Sequence, residues 1–331
     1  MKIIDLFSGI GGFSLGFKRA GYHFTEHYFS EIDRHAIANY KYNFPNAKYI
    51  GDITSIHRRD FADIDIITFG SPCQDFSLAG KRKGLKGGKS SLIEYAITLV
   101  ARVKPSVFIW ENVKGAFSSN SGADFWAIIQ AFANIGDYRL EWQLLNTSWV
   151  LPQNRERIYL IGHLAGRSEP GVFPIEENDF SFTKEKKYQF RPELSGTLKA
   201  NGNMNTDDTY IIPRKAKALT GGGHSGGLHS DMTIIKQQAR GKNKGADLTI
   251  CPTISSNAFQ ENNLLDGIRR LTEIECERLQ GFSDNWTQYG NYKNTIKRIS
   301  RTRRYKLIGN AVTVDVVELI AKRLKLIQKG K

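Results

Sequence analysis

The octapeptide GSPCQDFS, residues 70–77, places a thiol between Pro72 and Gln74, directly after the apolar run 64–69. An inert core cysteine needs no proline beside it; a nucleophile held at the mouth of a buried strand does. Cys73 would act as its thiolate, which nearby positive charge stabilises. WENV, residues 110–113, supplies Glu111 after the next apolar run, and a carboxyl group beside a nucleophile can protonate a substrate ring. QNRER, residues 153–157, adds Arg155 and Arg157, whose period-two spacing puts them on one side of a strand. Two guanidinium groups suit an anionic or carbonyl-bearing target. Singly, each motif reads equally well as a core thiol, a capping glutamate or a surface arginine pair.

A second set points to a nucleoside. DLFSGIGGFSLGF, residues 5–17, puts a glycine-rich turn between a strand and a helix, where a ligand can reach backbone N–H groups. Gly9 and Gly11 fit a dinucleotide fingerprint, but position 14 is serine, so the turn alone is a weak signal. Glu31 in SEID follows about twenty residues later, at the place where an acidic side chain hydrogen-bonds ribose hydroxyls. Asp52 in GDI stands at the end of the following strand, placed for an adenine amino group. Jointly, polar motifs such as these at the same edge of one sheet are hard to explain as packing.

The elements that must carry them alternate. Apolar runs at 3–7, 23–30, 64–69, 107–110, 140–145 and 157–162 read as strands, and 34–43, 92–103 and 125–135 as helices. Strands separated by helices of this length predict a doubly wound, mostly parallel α/β sheet, with ligands outside the carboxyl ends of its strands. Near residue 164 the composition turns rich in Gly, Asn, Ser, Thr and Lys, with short strands expected at 210–212 and 232–235 and a loop at 219–230. This segment is expected to form a second, smaller, loop-rich domain. Helical periodicity returns after residue 269, and the chain ends in an amphipathic helix expected over 312–327.

Lys+Arg 47 against Asp+Glu 33 gives a net charge of +14, which favours a polyanionic partner. Three widely spaced cysteines, Cys73, Cys251 and Cys276, suit a reducing compartment and no disulfide framework, and the absence of a CxxC pair argues against a metal. No signal peptide and no membrane-spanning run of about eighteen apolar residues is read in the sequence, so a soluble, cytoplasmic protein is expected. The loop 77–91 carries five Lys/Arg and four Gly and reads as a basic lid; the run 297–306 holds six basic residues in ten and reads as a phosphate-contacting segment.

In order, DLFSGIGGFSLGF, SEID, GDI, GSPCQDFS, WENV, PQNRERIY, RRLTEIECERLQGF and GNAVTVDV resemble the DNA (cytosine-5)-methyltransferase family from end to end. The resemblance implies a Rossmann-like catalytic domain at 1–164 plus 305–331 and a target-recognition and DNA-binding part at 165–304, the variable segment being about 165–268. It implies a monomeric enzyme that uses S-adenosylmethionine and no metal, acts on double-stranded DNA, and works beside a restriction endonuclease cutting the same site. By analogy Cys73 adds to C6 of a flipped-out cytosine, and Glu111 protonates or hydrogen-bonds N3 and the exocyclic amine. Arg155 and Arg157 would hold the base carbonyl and nearby backbone, while Pro72, Gln74 and Asn112 would shape the pocket. Phe7 would stack on adenine, Glu31 bind ribose and Asp52 the adenine N6, with Gly9, Gly11, Gly12, Ile32, Ile53, Pro72, Leu92, Asn310 and Ala311 completing the cofactor pocket. Many relatives carry Arg-Gly before Leu92, where this chain has Lys89-Ser90-Ser91. A nicotinamide dehydrogenase, a catalytically dead DNA-binding regulator and the RNA-methylating branch of the family are the rival readings. The incomplete glycine fingerprint disfavours the first, the intact Cys73–Glu111–Arg155 set the second, and the long recognition segment the third.

Overall fold

The structure, a computed structural model, describes residues 1–56, 61–71, 92–117, 122–180, 235–237, 246–248, 263–265 and 269–327. The loop at 77–91, the turn at 219–230, the strand expected at 210–212, and Pro72, Cys73, Gln74 and Cys251 lie outside them.

The first half alternates as the pattern requires: β1 Lys2–Leu6, α1 Gly12–Arg19, β2 Glu26–Ser30, α2 Arg34–Asn43, β3 Lys48–Gly51, α3 Ile53–Ile56, β4 Ile66–Gly70, α4 Leu92–Val103, β5 Val107–Val113, α5 Ala123–Ala133, β6 Tyr138–Asn146 and β7 Glu156–Leu164. They form one seven-stranded sheet in the order β3-β2-β1-β4-β5-β7-β6. Its pairs are parallel from β3 to β5, and β7 is antiparallel to both β5 and β6. The inserted antiparallel strand departs from the usual dinucleotide-binding order. The order of the strands reverses between β1 and β4, the switch point where open α/β sheets bind ligands.

The central strands are buried on both faces, which is why they read as continuous apolar runs. Ile4, Leu6, Ile67, Phe69, Phe108, Trp110, Ile158 and Leu160 pack on one face with α4 and α5. Ile3, Ile66, Val107, Ile109, Tyr159 and Ile161 pack on the other with Phe13 and Phe17 of α1 and Val316, Val317 and Ile320 of the C-terminal helix Val314–Arg323.

That helix is shorter than the expected 312–327. Leu324 turns extended and buries itself, and Lys325–Leu326 then pairs antiparallel with Ser168–Glu169. Segments that follow residue 164 also pack on the elements of the seven-stranded sheet. Val172 and Ile175 join the core beneath the sheet, and the Gln143 side chain pairs with both the N–H and C=O of Ile175. Further on, the helix Glu273–Leu279 and the hairpin Tyr289–Tyr292/Thr295–Arg298 lie against elements of the seven-stranded sheet's layer. Asn39 of α2 donates to the carbonyls of Trp286 and Tyr289, and the Trp286 indole donates to the Ile10 carbonyl. Between these parts, the short strands Ile235–Gln237, Ala246–Leu248, Asn263–Leu265 and Arg269–Arg270 form a separate antiparallel sheet, the first of them overlapping the expected 232–235.

Candidate active site

Parallel strands deliver their carboxyl ends to one edge, and the reversed β7 delivers its amino end there. Phe7, Glu31, Asp52, Ser71, Glu111 and Arg157 therefore reach the same edge of the sheet from six strands.

Glu111 and Arg157 meet: Nε lies 3.0 Å from the carboxylate Oε1, with both side chains largely shielded from water. Their strands are in register, with Val113 opposite Arg157 and Glu111 opposite Tyr159. Beside them, β5 holds the start of the segment that leads to Pro72. The Trp110 indole donates to Ser71 Oγ at 3.0 Å, and buried Asn112 donates from Nδ2 to the Ser71 carbonyl at 3.1 Å. Asn112 Oδ1 in turn accepts from the Val113 N–H, which fixes the amide's orientation. Asn112 and Trp110 are thus positioning groups for Ser71, the residue before Pro72. The sequence offered no signal for Ser71 or Trp110 beyond their place in the motifs.

The two arginines part company. Arg155, 3 % exposed, donates from Nη2 to the carbonyls of Ala311 at 2.8 Å and Gly309 at 3.4 Å. Its neighbour Gln153 is fully buried and donates to the Leu279 carbonyl. The spacing placed both guanidinium groups on one side of the strand, but only that of Arg157 turns to Glu111.

At the other end of the edge, Glu31 closes the glycine turn. Its carboxylate accepts from Gly9 N at 2.9 Å, Ile32 N at 2.7 Å and Asp33 N at 2.9 Å. A carboxylate has about four acceptor positions, so one remains for a ligand hydroxyl. Gly9 and Gly11 take positive φ of 53° and 86°, and Phe7 is itself left-handed at 49°. A side chain added at Gly9 would meet nothing within 4 Å, so space is open above the turn. Ile32 is 73 % exposed next to Glu31, an apolar surface set among carboxylates. Asp52 accepts from Thr54 N and Oγ1, Ile53 is buried, and the Tyr49 hydroxyl donates to the Glu31 carbonyl. Open space, an exposed apolar side chain and acidic acceptors at successive strand ends fit a nucleoside: faces for the base, carboxylates for sugar hydroxyls. Sequence reasoning missed Tyr49.

Asn310 and Ala311 reach this end through packing. A side chain added at Gly12 would come within 2.6 Å of Val312 Cγ2, and Ala311 shares a core with Ile10. Leu92 opens α4 and packs against the core of the α4 face.

Beneath the turn, Asp5 is fully buried. Its carboxylate takes Ser14 Oγ at 2.9 Å, Tyr40 OH at 3.0 Å and Thr68 Oγ1 at 3.1 Å, while Ser14, Tyr40 and His27 Nε2 contact one another at 2.6–3.0 Å. Burial raises the Asp5 carboxyl to about 7 despite these donors, and burial lowers His27 to about 3. A protonated Asp5 supplies one more hydrogen to a cluster with more contacts than protons, so burial and proton count agree.

Comparison with known proteins decides the family. The model of the C-5 cytosine-specific DNA methylase family matches residues 1–326. The chain belongs to that family. Among curated relatives, the type II methyltransferase M.Bsp6I of Bacillus sp. (strain RFL6) is 30 % identical, over 98 % of this chain and 98 % of that one. M.NgoBI, a type II methyltransferase of Neisseria gonorrhoeae, is 33 % identical, over 98 % and 93 %. The crystal structure of the S. pombe Dnmt2 methyltransferase shares the fold with a TM-score of 0.59 at 18 % identity, covering 96 % of both chains. The protein is accordingly a DNA cytosine-5-methyltransferase, a C-5 methylase whose sheet brings Glu111, Arg157 and the Ser71 anchor to one edge.

No group of His, Cys, Asp or Glu among the described residues could hold a metal ion, and no described helix is long and apolar enough to cross a membrane. Cys276 is buried in the core of its helix.

Proposed function

We propose that this C-5 methylase transfers a methyl group from S-adenosylmethionine to C5 of a cytosine flipped out of a short, specific duplex sequence, through a covalent bond between Cys73 Sγ and C6. The observation that carries the reading is the Glu111–Arg157 pair beside a Ser71 held by Trp110 and Asn112. That anchor fixes the chain two residues before Cys73, so the thiol would be presented to a ring seated against the pair.

The chemistry divides among these groups. Cytosine C5 is a poor nucleophile until a thiolate adds to C6 and converts the ring to an enamine. The Glu111 carboxyl would share a proton with N3 and accept from the exocyclic amine, taking up charge as Cys73 adds. Arg157, held at Glu111, would donate to the base carbonyl, with Pro72, Gln74 and Asn112 shaping the pocket. Loss of the C5 proton and departure of Cys73 restore aromaticity. Bound S-adenosylmethionine supplies the electrophilic methyl sulfonium. Phe7 would stack on its adenine, Glu31 would offer its remaining acceptor position to the ribose, and Asp52 would accept from the adenine amine. Gly9, Gly11, Gly12, Ile32, Ile53, Pro72, Leu92, Asn310 and Ala311 would line the pocket.

Target reading is assigned to segment 165–268. The basic run contributes less than its count suggests, because Arg304 pairs with buried Glu277, Arg301 with Glu273 and Lys306 with Asp33. Lys297, Arg298 and Arg303 are exposed and are the proposed phosphate contacts. By likeness to its type II relatives, we place the enzyme in a restriction-modification system, as a cytoplasmic monomer whose partner endonuclease cuts the same site.

A duplex carrying 5-fluorocytosine at the target tests the covalent step, since fluorine at C5 cannot leave as a proton. The wild-type enzyme with S-adenosylmethionine should form an adduct stable in denaturing gels, and Cys73→Ala none. An adduct in the alanine variant would assign the nucleophile elsewhere.

A further inference from the structure

We infer that Arg155 is a positioning residue for the cofactor pocket: its guanidinium clamps the carbonyls on both sides of Asn310 and so holds that segment against the glycine turn. The inference rests on the proposed S-adenosylmethionine site and reassigns Arg155 away from the target base.

Three observations converge. First, Arg155 is 3 % exposed and its Nη2 donates to the carbonyls of Ala311 at 2.8 Å and Gly309 at 3.4 Å, residues that bracket exposed Asn310. Helix Arg301–Gly309 ends here, and the last carbonyls of a helix have no partner within it. A buried cation is a strong donor for such groups. Second, the clamped segment rests on the turn itself. Ala311 shares a core with Ile10, and Val312 lies so close to Gly12 that a methyl group there would collide with Val312 Cγ2 at 2.6 Å. Third, the base of the clamp is rigid. Arg155 N donates to Asn146 Oδ1 at 3.1 Å, and Gln153 donates to the Leu279 carbonyl at 2.7 Å. Thr147 Oγ1 meets Thr313 Oγ1 at 2.7 Å on the far side of the segment. The β6–β7 connection therefore grips residues 309–313 at several points, while two residues further on Arg157 faces Glu111. One short stretch of chain thus braces the cofactor end with Arg155 and serves the base end with Arg157.

The test uses full-length wild type, Arg155→Lys, Asn310→Ala and the double variant, with S-adenosylmethionine binding measured by calorimetry without DNA, alongside kcat, both KM values and Tm. Lysine keeps the charge but cannot reach both carbonyls with a planar fork. Arg155→Lys should weaken cofactor binding on the order of 10-fold, the effect of losing one charge-assisted hydrogen bond. It should raise KM for S-adenosylmethionine in parallel, and leave kcat at saturating cofactor and KM for DNA within about 3-fold. In the double variant the two effects should fall well short of multiplying, because Arg155 acts through Asn310. Three results overturn the inference: unchanged cofactor affinity with a fallen kcat, which marks a base contact; multiplicative effects in the double variant; or a lowered Tm with every parameter reduced together, which marks a general structural role. If wild type itself binds no S-adenosylmethionine, the proposed cofactor fails, and the inference with it.

Discussion

At the scale of single residues, two arginines two positions apart do different work, because Arg157 lies in β7 while Arg155 precedes it, and their partners differ. Arg157 meets a carboxylate and Arg155 meets peptide carbonyls. Only the pairing across β5 and β7 decides this, and pairing is not written in either residue. Glu111→Gln keeps the size of the side chain but removes the proton exchange at N3, so kcat should fall about 10²–10⁴-fold with cofactor affinity unchanged, read by single-turnover methylation and calorimetry. Arg157→Lys, without the planar fork, should also lower kcat without weakening cofactor binding. Asp5 makes a pH prediction. Its folded carboxyl titrates near 7 against about 3.8 for an ordinary aspartate, so between those values the folded chain holds a proton that the unfolded chain has released. Stability should therefore decline as pH rises from about 4 to about 7, by on the order of 4 kcal/mol from this group, and show no further Asp5 contribution above that. Asp5→Asn should flatten that part of the profile in urea titrations. A stability that rises through this window in wild type and variant alike would contradict the assignment.

At the scale of elements, the sequence was most legible where burial imposed a period. Helices α2 and α4 fall where the apolar spacing put them, and the strands of the sheet come within a few residues, because both faces of the central strands are covered. The same edge for Gly9, Glu31, Asp52 and Glu111 was legible too, since it follows from parallel strands alone. The reversal of β7 was not, because an antiparallel strand buried on both faces carries the same apolar pattern. Nor was the end of the C-terminal helix: an amphipathic pattern runs to 327, but Leu324 is extended and buried and the chain then pairs as a strand. Contacts such as Trp286 to Ile10 were not legible either, since they join residues far apart in sequence. Helix Glu273–Leu279 begins with a full capping box, Thr272 to Glu275 and back. Thr272→Ala should cost about 1 kcal/mol and lower Tm by about 2–4 °C in calorimetry, with methylation retained below the transition.

At the scale of the whole molecule, the charge of +14 is what a duplex partner would select, and it is unevenly committed. Arg301, Arg304 and Lys306 hold the C-terminal elements to acidic side chains, leaving Lys297, Arg298 and Arg303 exposed. Replacing each of these three by alanine should weaken DNA binding evenly across sequences. It should reduce the slope of log K against log salt by about 0.9 for each phosphate no longer neutralised, without changing which cytosine is methylated. Arg304→Ala should instead lower Tm, because it leaves Glu277 buried without its cation. The central claim, sequence-specific methylation of cytosine C5 in duplex DNA, is tested most directly by incubating unmethylated duplex DNA with the enzyme and S-adenosylmethionine and mapping 5-methylcytosine at single-base resolution. The account predicts modification at one cytosine of one short recurring sequence, absent with Cys73→Ala. Unmodified DNA under conditions where calorimetry shows the cofactor bound would contradict it.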